Sequence, residues 1–122
     1  MNETSKNLEA FLDFLRDSEE RLRMAQFDLQ QVNNETQDIL HQLELYDDPY
    51  HQTATLAKKL RDVRRRRRTA KDELEKLTPL CEWIENNKAV IGQLQRLMGD
   101  MRKTERHHQN RYYIPKTTIL ED

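Results

Sequence analysis

Starting at Leu8, alternating steps of three and four residues land on Leu8, Phe11, Leu15, Ser18, Leu22, Ala25, Leu29, Val32, Thr36, Ile39, Leu43 and Tyr46, and ten of these twelve positions are apolar. A repeat averaging 3.5 residues keeps one stripe against a neighbouring helix if the two wind around each other left-handedly, so a long helix of coiled-coil type is expected. With Leu8 as position a and Phe11 as position d, leucine fills five of the six a positions. At 1.5 Å per residue the stripe is about 58 Å long, more than a compact domain of this chain length requires. Thr4 or Ser5 offers a capping hydroxyl, and Glu9 sits in the early turns, where negative charge complements the helix dipole.

The stripe stops at Asp47, Asp48 and Pro49, two turn-prone acids before a residue that disfavours helix at the preceding position. A second seam runs through Leu56, Leu60, Val63, Arg67, Ala70, Leu74 and Leu77, and its stepping continues to Cys81, Ile84, Lys88 and Ile91. Folding back about the turn puts Leu60 near Ile39, Val63 near Thr36, Arg67 near Val32, Leu74 near Ala25 and Leu77 near Leu22. Thr78-Pro79 reads either as a kink in a continuing helix or as the cap and first residue of a new one, and the lack of a flanking glycine favours the kink. Beyond it, Leu80, Ile84, Asn87, Ile91, Leu94, Met98 and Met101 form one stripe, with Trp83, Val90 and Leu97 forming another beside it. So broad an apolar face calls for two neighbours, in a three-helix bundle or a dimer. Gly92 and Gly99, seven apart, mark either a close backbone approach or simple tolerance, at about 1 kcal/mol each.

These signals predict an all-α chain: a long antiparallel helical hairpin or a three-helix bundle, with helices at about 5–46, 52–77 and 79–106 in a single elongated helical domain, 1–106. From 107 to 122 the β-branched and aromatic residues lose helical period, and an extended C-terminal arm is expected, docked on a partner through RYYIPKTTIL. Two glycines in 122 residues exclude most α/β enzymes, which need glycine at tight turns and phosphate loops. The single cysteine, Cys81, excludes an intramolecular disulfide and reads as a small core residue. No apolar run reaches the roughly 18 residues of a membrane span. The opening MNETSKNLEA has no basic segment followed by an apolar one, so neither a secretory signal nor a membrane association is expected, and the location expected is cytoplasmic.

Charge is partitioned sharply. Residues 1–50 hold 12 acids and 4 bases (net −8), residues 58–71 hold 9 bases and 1 acid (net +8), and residues 72–122 hold 8 bases and 9 acids. In the antiparallel register Arg66 lies near Glu35 and Lys59 near Gln42, while Arg64 and Lys71 meet Asn33 and Gln26. One good pair results, and an exposed pair contributes about 0–1 kcal/mol, so intramolecular pairing does not explain five consecutive arginines. Arg61, Arg65 and Arg68 project away from the first helix. Arg67 falls in the seam, where it either fixes register or extends its head to solvent. The candidate binding residues are Lys58, Arg61, Arg64, Arg65, Arg68 and Lys71, with Arg111, Tyr112 and Tyr113 of the arm as a clamp. Three readings stay open: an acidic protein surface, nucleic acid, or a solvated face.

Catalytic signatures are missing: no phosphate loop, no G-x-S-x-G, no H-E-x-x-H and no cysteine pair for zinc. His107, His108 and Glu105 could meet a metal only by accident, because adjacent histidines point to different helix faces. No enzyme activity, cofactor or metal is expected.

The run LRDVRRRRRTAKDELEKLTPL, then NKAVIGQLQRLMGDMRK and RYYIPK, resembles a group of small helical proteins encoded by phages and prophages of Gram-positive bacteria, over roughly residues 38–116. The resemblance implies a phage-type setting in the cytoplasm of a bacterial host. Short non-enzymatic proteins there bind host or phage machinery, among them inhibitors of bacterial defence nucleases and DNA- or RNA-associated accessory proteins. The leading expectation is a non-enzymatic helical binding protein, dimeric, that engages an acidic surface of a host or phage protein through its basic helix. A nucleic-acid-binding accessory protein and a structural coiled-coil oligomer are the alternatives.

Overall fold

A computed structural model describes residues 3–119. Among the described residues there are three helices and no strand: α1 (Glu3–Leu45), α2 (Tyr50–Asn86) and α3 (Lys88–Gln109). The chain divides into two compact units. One spans Phe14–Asn87, and the other joins the opening of α1, up to Asp13, with the chain from Lys88 onward.

The first unit is the antiparallel hairpin of α1 and α2, in the register that the two seams require. Val32, Ile39 and Val63 form its buried cluster, with Leu29, Leu43, Leu56 and Leu60 packed around it. Glu35 accepts a 2.5 Å hydrogen bond from the Arg66 guanidinium, the one pair expected from the folded-back sequence. The two rows of the seam are not buried alike. Ser18, Ala25, Val32 and Ile39 of α1 and Val63, Ala70, Leu77 and Ile84 of α2, all at d, are buried. Leu22, Leu29, Thr36 and Leu43, with Leu60, Arg67, Leu74 and Cys81, all at a, are only half-buried. Leu15, at a, is nevertheless buried and Leu56, at d, is half-buried, so side-chain size and place along the hairpin set the burial as much as the row does. Ser18 satisfies its buried hydroxyl within its own helix by donating to Phe14 O at 2.7 Å.

α1 ends one residue before Tyr46, which is exposed in the turn and not in the seam. Pro49 is the N-cap of α2, its fixed φ of −56° suited to the role, and its carbonyl accepts from the Gln52 and Thr53 amides at 2.9 and 3.1 Å. Gln42 Nε2 ties the turn by donating to Asp48 Oδ2 at 3.0 Å.

Of the two readings of Thr78-Pro79, the favoured continuation is the one found, since α2 runs through Pro79 to Asn86, and the boundary set at 77–79 lies at Asn87 instead. Pro79 is exposed, and the Thr78 hydroxyl donates to Leu74 O at 2.6 Å beside it. Leu77, Cys81 and Ile84 keep their places in the seam on either side, and this packing outweighs the helix-breaking cost of one proline. The chain breaks at Asn87, at φ −129° and ψ 30°. There the Asn87 amide donates to Ile84 O at 3.2 Å and its side-chain Nδ2 to Trp83 O at 2.7 Å, covering two carbonyls that the helix end would leave without partners.

In the second unit, α3 runs antiparallel to the opening of α1. Thr4 and Ser5 lie inside α1, not at its cap. Ser5 is buried, and its amide and hydroxyl donate to the Glu105 carboxylate at 3.3 and 2.7 Å. A carboxylate at the first turn of a helix meets both the unbonded amides and the positive end of the dipole. Arg102 pairs with Glu9 one turn further on. The apolar residue buried here is Leu12, while Phe11, expected in the seam, is 44% exposed. α3 contributes no fully buried residue, and Val90 and Leu97 of the second stripe are exposed. Around Gly92 and Gly99 an added Cβ meets nothing within 4 Å, so tolerance and not close approach accounts for both.

His107 and His108, expected in the arm, belong to the last turn of α3, where with Arg106 they complement the negative end of the dipole. After Gln109 the chain is irregular and exposed through Ile119. The end of the expected arm, Leu120 to Asp122, lies outside the described residues. No helix among the described residues is long and apolar enough to cross a membrane.

Candidate basic interaction surface

Around a heptad helix, e and b positions lie beyond the a row, and g and c positions beyond the d row, so the hairpin has two flanks. On the d/g flank the two helices neutralise one another. Arg21 pairs with Glu73, Arg66 with Glu35 at 2.5 Å, and Lys76 with Glu73 at 3.4 Å. Partial burial opposes ionisation of Glu73, but the hydrogen bond and charge of Arg21, reinforced by Lys76, outweigh it and hold the carboxyl below its ordinary range.

The a/e flank is built differently. From Met24 to Leu43, α1 places Gln26, Asn33 and Leu40 at e and Gln30 and Gln37 at b, so no carboxylate faces that way. On α2, Arg61, Arg64, Arg65 and Arg68 surround an open groove on that helix's own surface, which Ala57 and Leu60 also line. All four arginines are exposed, and none makes an ion pair or hydrogen bond through its side chain with another described residue. Lys58 is exposed one turn before Arg61, and Lys71, half-buried, stands on the same e column as Arg64, seven residues on. From Ala57 to Lys71 the basic strip is about 21 Å long.

Arg67 belongs with this group although it sits in the seam. Its stem is half-buried in the a row, and its Nε donates to Asn33 Oδ1 at 3.3 Å. Asn33, expected against Arg64, is thus engaged by Arg67, whose longer reach from the a row crosses to the e position of α1. The guanidinium emerges on the a/e flank with its two terminal nitrogens turned to no described side chain. Sequence alone leaves Arg67 either fixing register or extending its head to solvent; the signal that would have added it to the site is its place opposite a polar Asn33 instead of an acid.

Arg111, Tyr112 and Tyr113, the expected clamp, follow α3. They belong to the other unit and are exposed, Tyr112 at 83% and Tyr113 at 73%.

Burial, and then the nearby Glu19 charge, push the Cys81 thiol up, with Arg23 opposing, and its Sγ donates to Ser18 O at 3.6 Å. Such a thiol stays protonated at neutral pH. His107 and His108 stand with ring centroids 6.3 Å apart, while the neighbouring Glu105 is engaged by Ser5. Among the described residues no group of three His, Cys, Asp or Glu side chains is placed to hold a metal ion. Comparison with protein-family models, with curated proteins and with solved structures finds no match.

Proposed function

We propose that this protein is a non-enzymatic binding module that engages an acidic surface of a partner protein through the basic strip of α2. One observation carries this reading: four arginines surround a groove with an apolar floor and find no carboxylate of their own chain among the described residues. Desolvated guanidinium groups recognise carboxylates by paired hydrogen bonds, and an apolar floor rewards a partner that also brings aliphatic surface. A phosphate backbone offers the charge but not that surface. The phage-type setting implied by the sequence resemblance makes a host or phage protein the partner, with a bacterial defence nuclease as one candidate.

Fluorescence anisotropy with labelled oligo-glutamate, duplex DNA and RNA, at low and at raised salt, tests the reading. Oligo-glutamate is expected to bind at low salt, and to lose binding when Arg61, Arg64, Arg65 and Arg68 are replaced by Gln with the helical circular-dichroism signal unchanged. Preferential binding of DNA or RNA with a steep salt dependence replaces the acidic protein by a nucleic acid. Loss of helicity or assembly on the same replacement makes the arginines structural.

A further inference from the structure

Further along α2 the basic strip gives way to an acidic one on the same face. One residue after the a row, positions 61, 68, 75 and 82 form a single b column, about 10.5 Å apart, and carry Arg, Arg, Glu and Glu. All four side chains are exposed, and none makes an ion pair or hydrogen bond with another described residue. The e and f columns beside it divide in the same way, with Arg64, Arg65 and Lys71 before the midpoint and Asp72 after it.

Such a column is complementary to itself in one arrangement. Against a second copy laid parallel, Arg meets Arg and Glu meets Glu at every level. Turned antiparallel about a two-fold axis between residues 71 and 72, Arg61 of each copy comes level with Glu82 of the other, and Arg68 with Glu75. Sliding the second copy by one heptad sets Arg68 on Arg68 or Glu75 on Glu75, so charge fixes the register as well as the direction. In that register Lys71 is level with Asp72 of the other copy. Arg64 and Arg65 are level with Pro79 and Thr78, which carry no charge.

We propose that the outer face of α2 pairs with the same face of a second copy of this chain, antiparallel and two-fold symmetric, through Arg61–Glu82 and Arg68–Glu75 ion pairs. Exposed ion pairs stabilise little singly, so the dimer is weak and salt-sensitive. The inference goes beyond the acidic-partner reading and does not depend on it. Arg64 and Arg65 stay unanswered in the pair, and an acidic partner that also takes Arg61 and Arg68 displaces the second copy.

Sedimentation equilibrium of the full chain, up to about 1 mM protein, reads the association. A monomer–dimer equilibrium is expected at about 0.01 M salt, where charges act over about 30 Å, and monomer at about 1 M, where they act over about 3 Å. Two variants of identical composition and net charge test the register, with the helical circular-dichroism signal checked for both. Arg61→Glu/Glu82→Arg keeps opposite charges level at all four places and is expected to dimerise within about threefold of the unaltered chain. Arg61→Glu/Glu75→Arg sets like charges level at all four and is expected to dimerise at least about tenfold more weakly. Equal association of the two variants overturns the register and with it this face. A dimer that persists at high salt belongs to an apolar face and overturns the proposal, as does a monomer at low salt. Oligo-glutamate bound by a chain that stays monomeric overturns this inference alone and leaves the acidic-partner reading standing.

Discussion

Replacing Val32 by Ala removes two methyl groups from a position that is 1% exposed and enclosed by Ile39, Val63 and the leucines around them. Each buried carbon of this kind costs about 0.5–1.5 kcal/mol when deleted, so the packing loss is about 1–3 kcal/mol. Alanine is the better helix former by up to about 0.7 kcal/mol, which offsets part of it. The net expectation is a destabilisation of about 1.5 kcal/mol, read as a lower urea midpoint in circular dichroism at constant slope. Leu45→Ala is the matched control, because Leu45 is 67% exposed at the end of α1 and its truncation is expected to stay within about 0.5 kcal/mol. If the two variants unfold at the same urea concentration, the d row is not what closes the hairpin, and the assignment of its core is wrong.

Pro79→Ala is expected to stabilise α2 by up to about 3 kcal/mol, since the position is exposed, helical and short of one backbone donor; no rise in stability would show that the proline conformation serves the fold. Asn87→Ala removes the bond to Trp83 O and should cost about 0.5–1.5 kcal/mol in the same urea titration, whereas Asn86→Ala, exposed one residue earlier, should cost little. Cys81 should react with a disulfide reagent more slowly than a free thiol at neutral pH and accelerate in urea; labelling at the free-thiol rate would contradict its raised pKa. Glu73 has a folded-state pKa below its unfolded value, so its contribution is present above the ordinary carboxylate range and is lost as pH falls through the folded value. Glu73→Gln should therefore shrink the drop in melting temperature between neutral and acidic pH, and an undiminished drop would assign the acid sensitivity to other groups.

The hairpin and its register are legible in the sequence because a heptad stripe and a turn leave few ways to fold: once Asp47, Asp48 and Pro49 reverse the chain, Glu35 and Arg66 meet by arithmetic. The second boundary is not legible in the same way. Pro79 is the louder signal in the sequence, but its cost is local, while the seam residues at 77, 81 and 84 draw on a whole partner helix. The quieter Asn86-Asn87 pair marks the true end, because an asparagine side chain can supply the donor that the last helical carbonyls lack. Stepping by threes and fours selects Phe11, but the buried residue is its neighbour Leu12, in the unit that the opening of α1 forms with α3.

Periodicity ranks the a and d rows as equals, so which flank leaves its arginines unanswered cannot be read from spacing. It follows from polarity at single positions: between Met24 and Leu43, Gln26, Asn33 and Leu40 stand at the e positions of α1 where acids could have stood. Glutamates at 26 and 33 would have stood within reach of Lys71, Arg64 and Arg67, as Glu35 and Glu73 stand to Arg66 and Arg21 on the other flank. The chain's net charge of −1 conceals this, because the acids that balance the arginines in the sum stand elsewhere. A basic strip whose guanidinium groups meet no described carboxylate is thus set by polarity at a few fixed positions, and a net charge summed over every face carries no trace of it.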